Sequence, residues 1–154
     1  MPTALVTGAS SGIGAEFARQ LSGRGYDLVL VARRVDRLEE LAAELPGEPV
    51  VVGHDLANDA ASLPPDLERR GITVDLLVNN AGFGTHGRFW DHDPAREAEQ
   101  VRLNCEAVVV LTETQARQLA AEREARAEAT LTAVDAKPGT RSAKRRRTTS
   151  PLEQ

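Results

Sequence analysis

The stretch TGASSGIG, Thr7–Gly14, places glycines at positions 8, 12 and 14 between a short apolar run and an amphipathic one. A turn from a buried strand into a helix leaves unpaired backbone N–H groups at the helix N-terminus. The helix dipole adds positive charge there, so the turn suits a phosphate if no side chain blocks it. Gly8 permits the sharp turn, Gly12 the close approach of a pyrophosphate, and Gly14 the packing of helix on strand. Ser10 and Ser11 offer hydroxyls to the same phosphate. The spacing is G-x-x-x-G-x-G rather than the commoner G-x-G-x-x-G, and a tight turn with no ligand is the competing reading of a bare glycine trio.

The elements around this turn favour the ligand. Ala4–Thr7 reads as a strand, and Ile13, Phe17, Ala18 and Leu21 recur at helical spacing. DLVLVA, Asp27–Ala32, is an apolar run of the kind buried on both faces of a parallel sheet. Val35, Leu38, Leu41, Ala42 and Leu45 predict a second helix, stopped by Pro46-Gly47. PVVVG, Pro49–Gly53, predicts a third strand. Residues 58–71 predict a weak helix interrupted near Pro64-Pro65, and VDLLVNN, Val74–Asn80, a fourth strand. A long helix starts near Asp93-Pro94, with Asp as cap and Pro in the first turn. Strands alternating with helices imply right-handed crossovers and an α/β, Rossmann-like doubly wound parallel sheet. Four strands are visible, in the expected order 3-2-1-4. The sheet is therefore incomplete, and its fourth strand has an apolar edge expected to invite self-association.

Composition narrows the function classes. Up to residue 116 there are 10 Arg against 18 Asp and Glu, a net −8; residues 117–154 carry 9 Lys and Arg against 5 acids, a net +4. A broadly basic surface for nucleic acid is thus absent from the first part. No run approaches the ~20 apolar residues that span a bilayer, and nothing at the N-terminus reads as a signal peptide, so a cytoplasmic protein is expected. Cys105 is the single cysteine, which leaves no internal disulfide and no cysteine-based zinc site. Within an apolar helix it reads as a small core residue. His86 and His92 have no metal-ligand spacing, so no metal site is expected. His54 reads as a loop residue; Phe83, Phe89 and Trp90 read as cover for the cleft or as core.

TGASSGIG resembles the cofactor motif of the short-chain dehydrogenases/reductases, and three further matches follow it in order. Asp55-Leu56 resembles the pair that contacts the adenine ring, NNAG, Asn79–Gly82, the motif that ends the fourth strand, and Asn104 the helix asparagine of the family's catalytic tetrad. The resemblance spans residues 3 to about 114. It implies hydride transfer between a nicotinamide dinucleotide and a small carbonyl or alcohol substrate. It also implies cofactor contacts from Gly8, Ser10, Ser11, Gly12, Ile13 and Gly14, from Asp55 and Leu56, and from Asn80, Ala81 and Gly82. The ribose 2′ position is read about 20 residues beyond the glycine turn. There the sequence has Arg33 and Arg34, whose guanidinium forks suit the 2′-phosphate of NADP. Asp36 close by keeps NAD open, and ordinary solvated arginines at a helix start are the alternative.

The family's proton-transfer residues are a Ser, and a Tyr and Lys four apart on a later helix. This sequence has one tyrosine, Tyr26, with Leu30 four residues on, and no Tyr-x-x-x-Lys. Its serines after Asn104 are Ser142 and Ser150. Near residue 115 the sequence becomes rich in Ala, Arg, Glu and Thr, as a truncation or shifted reading frame would produce. Three segments are expected: a partial dinucleotide-binding domain over 1–116, a polar helical extension over 117–134, and a basic disordered tail over 135–154 containing SAKRRRTTSP. Three functions follow: an oxidoreductase incomplete in this chain, a non-catalytic dinucleotide-binding fragment, or an interaction module driven by the tail.

Overall fold

Strand β1 (Thr3–Thr7) and strand β2 (Asp27–Ala32) are apolar on both faces, and almost every residue in them is buried. Such strands are stable only with a layer on each side. The computed structural model, which describes residues 1–135 and their side chains through residue 129, supplies both layers. With β3 (Val50–Gly53) and β4 (Leu76–Val78) they form one parallel sheet in the order β3-β2-β1-β4. Leu5 lies opposite Val29 on one side and Leu77 on the other. Because side chains alternate along a strand, each strand feeds two cores. Ala4, Val6, Leu28 and Leu30 pack with Ala15, Ala18 and Leu21 of α1 (Gly12–Gly23) and with Leu38 and Leu41 of α2 (Val35–Glu44). Leu5, Val29, Val31 and Val52 face the other way, onto α3 (Leu56–Asp59), α4 (Leu63–Arg69) and the start of α6 (Ala107–Asp135). This is the open, doubly wound parallel sheet expected from the sequence.

The helix expected over 58–71 is interrupted near Pro64-Pro65: α3 ends at Asp59, a 3-10 turn spans Ala60–Ser62, and the two prolines occupy the first turn of α4, where a missing N–H costs nothing. Two local readings are corrected. Strand β4 is three residues long, not the seven of Val74–Asn80; past Val78 the Asn80 backbone amide donates to the Thr7 hydroxyl. Helix α1 buries Gly14, Ala15, Ala18 and Leu21, whereas Ile13 and Phe17 are largely exposed. Small residues let α1 approach β1 more closely than Ile and Phe would allow.

The long helix starts at α5 (Pro94–Val101), where Asp93 accepts a hydrogen bond from the Ala95 amide and Pro94 fills the first turn. One π-helical turn, Arg102–Glu106, joins it to α6. The chain divides into two compact units, Met1–Ala120 and Ala121–Gln154. In the second, the described part continues α6 to Asp135. The tail expected over 135–154, with its basic cluster, lies beyond Asp135 outside the described residues. Among the described residues no helix is long and apolar enough to cross a membrane.

Candidate functional site

The C-terminal ends of β1, β2, β3 and β4 open onto one cleft, and the glycine turn forms its floor. Gly8 has φ +67°, a left-handed conformation that glycine adopts freely, and a Cβ there would lie 2.8 Å from the Ala81 Cα. A Cβ on Gly14 would lie 2.4 Å from the Gly8 carbonyl oxygen, so helix and turn meet at a distance only glycine permits. Gly12 differs: φ is +58°, yet a Cβ would meet nothing within 4 Å. Two of the three glycines are needed for packing and one borders open space.

Thr7 ties this turn to β4. Its hydroxyl is buried; it donates to the Val78 carbonyl at 3.2 Å and accepts from the Asn80 and Ala81 amides at 2.9 and 3.0 Å. The Asn80 side-chain amide donates to the Thr7 and Gly8 carbonyls. Five backbone groups from two strand ends are thus held by two short polar side chains. Sequence reasoning had Thr7 inside its motif but gave it no role.

The cleft measures about 430 Å³. Gly8, Ser10, Ser11 and Ile13 line it from the turn, Arg33 and Arg34 from the end of β2, Asp55 and Leu56 from the end of β3, and Asn80, Ala81 and Gly82 from beyond β4. Eleven of the thirteen residues singled out for a cofactor therefore share one cleft, while Gly12 and Gly14 shape the turn behind it. Ala32, His54 and Leu103 line it as well. Arg34 Nη2 donates to the Ser10 and Ser11 hydroxyls at 3.1 and 2.9 Å. Arg33 Nη1 pairs with Glu99 of α5 at 3.1 Å. Asp55 caps α3, accepting from the Ala57 amide and the Asn58 side chain. His54 is held locally, its Nε2 lying 2.6 Å from the Asp59 carbonyl oxygen.

Asn104 lies in the π-helical turn. Its side chain bonds both backbone groups of Phe83: Oδ1 accepts from the amide at 3.2 Å and Nδ2 donates to the carbonyl at 2.8 Å. It clamps the loop that leaves β4. Further along that loop, His92 Nδ1 lies 2.5 Å from Glu97 Oε1 and Nε2 lies 3.1 Å from the His86 carbonyl oxygen. Both ring nitrogens of His92 are therefore occupied by acceptors. The Thr85 hydroxyl donates to Glu97, and this bond, more than the His92 contact, holds the Glu97 carboxyl below the usual glutamate range against the opposing effect of burial. Three aromatic and thiol readings are corrected in part. Phe89 and Trp90 are about three-quarters exposed on a 3-10 turn, and Cys105 is exposed rather than core, because the π-helical turn rotates it out of the buried face. Phe83 is half-buried beneath the Arg96 guanidinium, 3.7 Å from its ring centre.

A second hollow, about 530 Å³, lies between α4 and α6 and is lined by Leu63, Leu67, Ile72, Val74 and Leu111 among others. It is the larger of the two. It sits by the segment entering β4, however, whereas open parallel sheets bind ligands at the carboxyl ends of their strands. Its lining is also mainly apolar, without the paired guanidinium groups of the cleft.

Known proteins agree with this geometry. The family model described as short chain dehydrogenase matches residues 2–132. An uncharacterized oxidoreductase of Mycobacterium tuberculosis is 37% identical over 117 residues, covering 71% of this chain and 46% of the relative. Among solved structures, the bulky-bulky ketone specific alcohol dehydrogenase from Comamonas testosteroni superposes with a TM-score of 0.72 at 38% identity, covering 79% of this chain and 51% of that one. A short-chain dehydrogenase from Sphingobium yanoikuyae in complex with NADPH gives 0.70 at 37% identity, covering 77% and 48%. The chain thus spans about half the length of each of these three proteins. The matched segment contains the whole four-stranded sheet and the turn that closes its cleft, and on that ground the chain belongs to the short-chain dehydrogenase family.

Proposed function

We propose that this chain carries the dinucleotide-binding part of an oxidoreductase and that its cleft takes NADP in preference to NAD. The observation that carries the reading is the pair Arg33 and Arg34 on the rim of the cleft whose floor is the glycine turn. The residues present fit such a ligand. Ser11 stands at the N-cap of α1 but its hydroxyl makes no capping hydrogen bond, and the first turn of α1 holds no acid, so its positive end is left for an anion. The helices that start at Leu56 and Pro94 are instead capped by the carboxylates of Asp55 and Asp93. Gly8, Ser10 and Ser11 of the glycine turn line the cleft where the pyrophosphate would lie. Arg34 and the Ser10 and Ser11 hydroxyls form one donor group beside it, and Arg33 a second. Asp55 and Leu56 would meet the adenine ring, and Leu103 lines the same cleft. The Sphingobium relative was solved with NADPH, which supports the same choice here.

Bound there, the nicotinamide would give or take a hydride at a carbonyl or alcohol carbon. The residues of this chain would bind and orient it, with Asn104 setting the loop through Phe83. No Tyr-x-x-x-Lys occurs in the 154 residues. That favours a second reading, in which the 154-residue chain binds the dinucleotide without turnover, since general acid–base catalysis is worth about 10²–10⁴-fold. A cytoplasmic setting belongs to the same proposal, because Cys105 is an exposed free thiol, a state that a reducing compartment preserves.

The test is titration of the chain with NADPH and with NADH, followed by nicotinamide fluorescence. NADPH binds more tightly if the reading holds, and Arg33→Asp reverses the order because a carboxylate repels the 2′-phosphate. Equal affinities in the unaltered chain overturn the cofactor assignment.

A further inference from the structure

We infer that Glu99, on α5 and 66 residues from Arg33 in sequence, is a positioning residue that sets how strongly the cleft prefers a 2′-phosphorylated dinucleotide. The inference rests on the cofactor reading above and deepens it.

Glu99 does not itself line the cleft; from α5 it reaches Arg33 on the rim. Its Oε1 accepts from Arg33 Nη1 at 3.1 Å, and its Oε2 accepts from Arg96 Nη1 at 2.7 Å. The carboxylate is four-fifths buried, while Arg33 is 54% exposed. A free arginine at the end of a strand samples many rotamers, and fixing it on a ligand costs side-chain entropy. Glu99 makes part of that ordering before any ligand arrives. Among the described residues Arg33 gives Glu99 one nitrogen, so its Nε and Nη2 remain for an incoming anion.

A carboxylate beside an anion site also repels the anion, and charge decides which effect wins. Glu99 serves two guanidinium groups, those of Arg33 and Arg96. Its negative charge is shared, and the three groups together keep a net positive charge. Arg34 adds another cation that has no carboxylate partner among the described residues. The rim therefore stays attractive to a 2′-phosphate while Arg33 is held in place. The network extends inward, since Arg96 stacks on Phe83, whose backbone Asn104 clamps.

The experiment is a double-mutant cycle on the full 154-residue chain, with dissociation constants for NADPH and NADH measured for the unaltered protein, Glu99→Ala, Arg33→Ala and the double variant. Glu99→Ala is expected to weaken NADPH about three- to fivefold, the scale of one partly exposed ion pair, and to leave NADH unchanged. In the Arg33→Ala background it is expected to do nothing further, because Glu99 acts through Arg33. Glu99→Gln keeps an acceptor for Nη1 and is expected to fall between; it replaces the alanine variant if that one does not fold. A Glu99 substitution that leaves the NADPH preference unchanged or raises it overturns the inference, as does an effect that persists without Arg33. If Arg33→Ala itself leaves the preference unchanged, or neither cofactor binds the unaltered chain, the cofactor reading fails and takes this inference with it.

Discussion

At the scale of single residues, Thr7 shows how little polar chemistry is needed to fix a site. One buried hydroxyl serves Val78, Asn80 and Ala81. Thr7→Val keeps the shape and removes the hydroxyl, so two amides lose their acceptor. Each uncompensated buried donor costs about 1–3 kcal/mol. A loss of up to about twice that, for the two amides, is expected in urea unfolding, with Thr7→Ser close to the unaltered protein. Glu97 gives a pH prediction. Its folded-state value lies below the ordinary one, with the Thr85 bond the first cause and His92 adding to it. A depressed carboxylate contributes stability above its unfolded value, about 4.3, and loses it as pH falls through the lowered folded value. The stability difference between the unaltered chain and Glu97→Gln is therefore expected to be constant from pH 7 to about 5 and to shrink below about 4. Urea midpoints across that range measure it; a difference that grows on acidification contradicts the sign. Most candidate site residues were legible because motif spacing is local: the glycine turn, Asp55-Leu56 and NNAG each sit at a strand end. Thr7 and Glu99 were not, because their partners are about 70 positions away and no local pattern encodes such a contact.

At the scale of elements, the strands were read well where both faces are buried, since continuous apolar runs such as DLVLVA need no periodicity to be seen. They were overread at β4. Past Val78 the Asn80 backbone amide bonds the Thr7 hydroxyl, and the Asn79 side chain bonds Thr112, choices set by tertiary contacts. The π-helical turn at Arg102–Glu106 was invisible for a similar reason. An i→i+5 turn has no propensity signature, and such turns concentrate at functional sites. Here it carries Asn104 toward Phe83. Removing that clamp with Asn104→Ala should release the loop after Gly82 while the sheet stays intact. Faster hydrogen exchange at the Phe83 amide is expected, with a global loss of about 1–2 kcal/mol from two hydrogen bonds. Unchanged exchange at Phe83 would show that the loop is held by something other than Asn104.

At the scale of the whole molecule, β4 pairs with β1 on one side and, among the described residues, with no strand on the other. Leu76, Leu77 and Val78 are half-buried and uncharged. Unpaired N–H and C=O groups on an apolar edge are a template for another chain. The 154-residue chain is expected to scatter more light and to change its melting temperature as concentration rises; a monodisperse monomer with a concentration-independent melt contradicts this. The glycine turn at the carboxyl ends of the strands, and not the larger apolar hollow between α4 and α6, is expected to receive the dinucleotide. Backbone amide NMR of the 15N-labelled chain titrated with NADPH tests it most directly. The account expects saturable shifts at Ser10 to Gly14, Arg33 and Arg34. Shifts confined to Leu63, Leu67, Ile72 and Leu111 around the apolar hollow, or none at all, would contradict it.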